Sequence, residues 1–100
     1  SYALAKAGVA QLARNIAVQW GPKGVRANSI SPGLIKTELV AQLPAGEEFM
    51  QRRMQMTPLR RMGEVEEIAG AAVFLASAAG GFVNGHNLVV DGGTVITDGS

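Results

Sequence analysis

The sequence predicts an α/β chain in which two short strands are joined through helices. Three observations carry this. Leu4, Val9, Leu12, Ile16 and Trp20 recur at helical spacing over residues 2–20. Residues 25–30 form a short run between Pro22-Lys23-Gly24 and Pro32-Gly33, as a buried strand does. A second strand-like run, 88–91, follows a helical stretch at 64–79.

In chain order, the first helix runs over residues 2–20, with small residues on its flanks that permit close approach of a neighbour, and Gly21-Pro22 stops it. The strand at 25–30 follows, ended by Pro32-Gly33. Residues 37–43 and 47–56 read as two short helices separated by Pro44-Ala45-Gly46, with residues 57–63 as a connector. Glu64, Glu66 and Glu67 place negative charge at the start of the next helix, where the macrodipole favours it. Ile68, Ala72, Leu75 and Ala79 form its expected buried stripe, and Gly80-Gly81 caps it. Asn84-Gly85 is a turn, 88–91 the second strand, and 94–100 a polar, fraying tail. Parallel strands joined by a helical crossover form a right-handed unit.

Composition narrows the function classes. With 100 residues, 47% of them apolar, a single domain's core is attainable and a second domain is not. A net charge of +1, with only Arg52-Arg53 and Arg60-Arg61 clustered, predicts neither a nucleic-acid nor a membrane partner. Cysteine is absent, which excludes disulfides and thiolate metal sites and is compatible with a cytoplasmic location. No metal site is expected, because Asp91 has no accompanying ligands.

Tyr2 and Lys6 stand four residues apart, about one helical turn, so a phenol and an ammonium can share a face. A tyrosine is a poor acid or base near neutrality, and a fixed cation beside it stabilises the phenolate and brings its pKa toward working pH. Such pairs also occur as solvated surface neighbours. Lone His86, between Gly85 and Asn87, reads as exposed rather than catalytic, and Trp20 as an anchor in the core or an interface.

Tyr2-Ala3-Leu4-Ala5-Lys6, then Arg26-Ala27-Asn28-Ser29-Ile30-Ser31-Pro32-Gly33 with Thr37 four residues on, then Val90-Asp91-Gly92-Gly93, resemble the C-terminal part of a short-chain dehydrogenase/reductase. The resemblance implies the last two strands of a Rossmann-like doubly wound parallel sheet, so that 1–100 would be one segment of a single domain. It implies NAD or NADP as cofactor and a small-molecule carbonyl or alcohol as substrate. Tyr2 and Lys6 would be catalytic, with both also touching the cofactor. Pro32 and Gly33 would lie against the nicotinamide, Ile35 through its backbone and Thr37 through its hydroxyl would hold the carboxamide. Read without the family, 32–37 is a strand-ending turn and a helix N-cap.

The resemblance further implies a homo-oligomer, dimer or tetramer, meeting through the first helix and through the last helix and strand. Residues 37–56 would be the substrate lid, though Phe49, Met50, Met54 and Met56 equally suit a packed surface helix. Asn28 and Arg26 read as structural, tying down backbone and supporting carboxylates respectively, and Asp91 as shaping its turn. The glycine-rich phosphate loop and the catalytic Ser and Asn would lie upstream, so the 100 residues alone are expected to be inactive. The alternative is a non-catalytic truncated piece stabilised by self-association. A sugar-nucleotide epimerase shares Tyr-x-x-x-Lys but should lack the Pro-Gly and Val-Asp-Gly-Gly segments. Ala5, Ala27, Val65 and Asn84 depart mildly from the family pattern.

Overall fold

The computed structural model describes residues 2–37 and 46–96, without the side chains of Tyr2 and Ala3. The helix expected at 37–43 and the end of the tail lie outside the described residues. The chain divides into two compact units, 1–31 with 70–88, and 32–69 with 89–100.

Helix α1 spans Tyr2–Trp20 and ends as the sequence predicts, in a 3-10 turn at Gly21–Lys23. Of the apolar residues at helical spacing, Leu4, Val9, Leu12 and Trp20 are exposed and Ile16 is half-buried, whereas the small residues Ala13 and Ala17 are buried. Small residues win because the neighbouring chain comes close: a β-carbon on Gly85 would stand 3.4 Å from that of Ala17. Trp20 is no core anchor. It stays exposed, with the Lys23 ammonium 5.9 Å from its ring centroid.

Strand β1 is Ser29–Pro32 and β2 is Asn87–Val90, and they pair in a two-stranded sheet. Ser29 N–H donates to His86 O and Gly33 N–H to Val90 O, both at 2.9 Å, so the register advances equally on both strands and the pair is parallel. The sequence expectation of 25–30 is shifted, because the polar groups of 25–28 are satisfied otherwise than by a ladder. Ala27 N–H donates to Asn84 Oδ1 at 3.0 Å, and Ala27 O accepts from Gly85 N–H at 2.8 Å. Asn28 Nδ2 donates to Val83 O at 3.0 Å while its Oδ1 accepts from His86 N–H at 2.9 Å. The strand runs on through Pro32 at no cost, since the N–H groups facing β2 belong to Ser29 and Gly33, leaving the proline nitrogen on the opposite side.

Asn28 thus ties down backbone as expected. Arg26 does not support carboxylates: its Nη1 donates to the carbonyls of Leu75, Gly80 and Val83 at 2.6, 3.0 and 3.3 Å. These oxygens belong to the end of a helix and the turn after it, where a cation also meets the negative end of the macrodipole.

Helix α2 spans Gly46–Gln55 and α3 spans Val65–Ala76. Helix α3 stops short of 79 because Ser77 is extended, its hydroxyl donating back to Phe74 O at 2.9 Å, and a 3-10 turn occupies Ala78–Gly80. Of the expected stripe only Leu75 is buried; Ala72 and Ala79 are exposed and Ile68 is half-buried. Asp91 leaves the second strand because its carboxylate caps the following turn, accepting Gly93 N–H at 2.8 Å and Val95 N–H at 2.9 Å. Residues Thr94–Ile96 are accordingly a 3-10 turn rather than a frayed tail.

Candidate active site

In the first unit, α1 sets Lys6 into a shallow cleft of about 220 Å³ that also takes Ala5, Val9, Ser29, Ser31 and Asn87. Ser29 and Ser31 share one face of β1 through the two-residue period of a strand. Their hydroxyls donate to Asn87 Oδ1 at 2.8 and 3.0 Å, a cross-strand polar cluster. Tyr2 lies one turn before Lys6 on the same helix, and its side chain is outside the described residues. His86 is exposed, with its backbone N–H used by Asn28.

In the second unit, Pro32, Ile35 and Thr37 line an apolar recess of about 390 Å³ with Val65, Ile68 and Ala69. Ile35 forms an isolated parallel bridge with Gly63. Gly63 N–H donates to Leu34 O at 2.9 Å and Lys36 N–H to Gly63 O at 2.8 Å. In that pattern the N–H and C=O of Ile35 itself point away from Gly63. The recess is apolar, and the Ile35 N–H and C=O are not used by the Gly63 bridge. Gly33 has a different constraint. A β-carbon there would stand 2.7 Å from Asp91 Cα and 2.8 Å from its Cβ, so strand pairing alone demands glycine.

The same unit holds an ion pair that sequence reasoning missed. Arg61 grips Glu67 with Nη1 to Oε1 at 2.8 Å and Nη2 to Oε2 at 3.0 Å. Oε1 also accepts the Glu64 N–H at 2.9 Å, one half of a capping box. The Arg61 bond first, and the Glu64 backbone second, hold the Glu67 carboxyl well below the ordinary range, at about 2. A sequence signal existed: Glu67 stands three residues after Glu64 at a helix start. Nothing in the sequence aimed Arg61 at it. Among the described residues no group of acidic, histidine or cysteine side chains could hold a metal, and no helix is long and apolar enough to cross a membrane.

A family model described as enoyl-(acyl carrier protein) reductase matches residues 1–95. The chain belongs to this short-chain dehydrogenase/reductase family. It is 44% identical over 96 residues to gluconate 5-dehydrogenase of Gluconobacter oxydans, covering 96% of this chain and 38% of that protein. A protein of Agrobacterium tumefaciens solved with bound NADP superposes with a TM-score of 0.90 at 43% identity, over 97% of this chain and 39% of that one. A 4-hydroxyisoleucine dehydrogenase complexed with NADH matches with a TM-score of 0.90 at 30% identity, over 97% and 40%. The chain therefore spans about two fifths of the length of the relatives it matches, and its strands and helices are part of the dehydrogenase's Rossmann fold. Solved members of the family hold NADP or NADH.

Proposed function

We propose that the protein carrying this chain is an NAD(P)-dependent oxidoreductase interconverting a carbonyl and a secondary alcohol. The observation that carries it is a tyrosine and a lysine one turn apart on α1, inside a chain matched to the dehydrogenase family over residues 1–95. A bound nicotinamide supplies or accepts the hydride. Tyr2 gives a proton to the carbonyl oxygen during reduction and takes it from the alcohol during oxidation. Lys6 stabilises the phenolate by charge and hydrogen-bonds the ribose. Pro32 and the backbone of Gly33 face the ring, and the outward N–H and C=O of Ile35, with the Thr37 hydroxyl, hold the carboxamide.

The protein acts in the cytoplasm as a homo-oligomer, without nucleic-acid or membrane partners. Subunits meet through α1 and through α3 and β2, in a tetramer. Support comes from the apolar residues these elements expose, Leu4, Val9, Leu12, Val18 and Val73 among them. The same exposed surface favours a second reading, a non-catalytic piece that persists by associating with itself.

One experiment separates the two. The intact mass of the native protein is measured, and dinucleotide binding is followed by calorimetry. A mass well above 10.4 kDa with binding supports the enzyme; a mass of 10.4 kDa without binding supports the fragment. In the enzyme, Tyr2→Phe keeps the ring and removes the proton carrier, so turnover is lost while dinucleotide binding persists. Wild-type turnover in that variant would sink the assignment.

A further inference from the structure

We propose that Thr57 and Thr94 form a hydroxyl latch that holds or releases the end of α2. The inference goes beyond the oxidoreductase reading above and rests on it only for the kinetic consequence of the latch. Thr57 Oγ1 donates to Arg53 O at 2.9 Å, and Thr94 Oγ1 donates to Asp91 O at 2.9 Å. The two hydroxyl oxygens also stand 3.2 Å apart, a contact in which either could be the donor. Each hydroxyl has one proton, so three contacts share two protons. Thr57 is buried at 4% exposure, and bulk solvent does not supply the missing donor.

Two proton arrangements fit this cluster. In the first, Thr94 donates to Thr57 and Thr57 to Arg53 O, and Asp91 O keeps the Thr94 backbone N–H at 3.4 Å. In the second, Thr94 keeps its bond to Asp91 O, Thr57 turns its proton to Thr94, and Arg53 O is let go. The first latches α2; the second frees its end. The helix side is the one that responds, because the chain beyond Thr57 is pinned. Thr57 O accepts the backbone N–H and Nη1 of Arg60, each at 2.8 Å, with Arg60 at a left-handed φ of 56°. Leu59 N–H donates to Gly92 O at 3.2 Å. Thr57 N–H has itself turned to Met54 O at 3.1 Å, which leaves the hydroxyl to reach the Arg53 carbonyl. Thr94 is thus a competing acceptor, through which the turn opens by moving one proton rather than by breaking a bond outright.

Competition predicts opposite signs for two variants where lost packing predicts one sign for both. In the complete protein, amide exchange at Met56 and Thr57, whose N–H groups close the end of α2, is followed by NMR. Thr57→Val keeps the shape, strands Arg53 O and speeds that exchange by about threefold to tenfold, the range of one net hydrogen bond. Thr94→Val removes the competing acceptor and slows it, while exchange at Val95 and Ile96 reports any damage to the turn at 94–96. Thr57→Ser, which keeps the hydroxyl, restores the wild-type rate. Faster or unchanged exchange at Met56 and Thr57 in Thr94→Val overturns the proposal. If Thr57→Val fails to fold, Thr94→Val decides alone. Substrate KM in the same variants separates the latch from the reading it leans on. If α2 covers the substrate, as the family resemblance implies, KM rises in Thr57→Val; an unmoved KM removes that role of α2, while the exchange rates still decide the latch.

Discussion

Gly33 and Asp91 lie so close across the end of the sheet that a β-carbon on the glycine would stand 2.7 Å from the aspartate Cα. Gly33 N–H bonds to Val90 O at 2.9 Å, the residue before that aspartate, so neither backbone can retreat without breaking the ladder. In Gly33→Ala the overpacked contact is expected to cost about 1–3 kcal/mol. Urea unfolding without dinucleotide checks it. A cost seen only when cofactor is present would place the constraint in the ligand site instead.

Arg26 serves the carbonyls of Leu75, Gly80 and Val83 with one nitrogen. Arg26→Met keeps the stem and strands those acceptors, for an expected loss of about 2–3 kcal/mol in urea unfolding. Arg26→Lys recovers only part, since its rotating ammonium lacks the rigid planar fork. Equal stability of all three proteins would refute this.

The Glu67 carboxyl is drawn from its ordinary 4.5 to about 2 by Arg61 and the Glu64 N–H. A depressed carboxyl contributes stability that is complete above its unfolded value and is lost as pH falls through its folded value. The contribution therefore fades between about pH 4.5 and 2. In Glu67→Gln that part of the acid dependence is absent. Thermal melts of the two proteins taken across the range should converge toward pH 2, and parallel curves would contradict the pairing.

Lys6→Met retains the helical stem and removes the charge. If the proton transfer proceeds as proposed, kcat falls by about 10²–10⁴-fold, the span general acid–base catalysis supplies. Steady-state kinetics at saturating dinucleotide measure it. A tenfold change or less would leave Lys6 a surface residue.

Much of the fold was legible because it rests on local chemistry. The helix over Tyr2–Trp20 and its stop at Gly21-Pro22 follow from spacing and from the breaker pair. Asp91 shaping its own turn needs only a carboxylate two residues before a glycine N–H. What was misread depends on partners distant in sequence. The first strand slid to Ser29–Pro32 because the Asn84 side chain bonds Ala27 N–H and the Asn28 side chain bonds the backbone of Val83 and His86. Arg26 found carbonyls some fifty positions away, where charge alone had suggested carboxylates.

The amino-acid order by itself determined the chemical inventory: a tyrosine and a lysine one turn apart, a Pro-Gly bend, a Val-Asp-Gly-Gly turn and no cysteine. Tertiary structure alone decided which small residues are buried, which glycine is forced, and that Ser29, Ser31 and Asn87 meet beside Lys6. The reason is range. Helix period, turn preference and charge spacing act within a few residues, whereas burial and cross-strand hydrogen bonds exist only once segments far apart in the chain have docked.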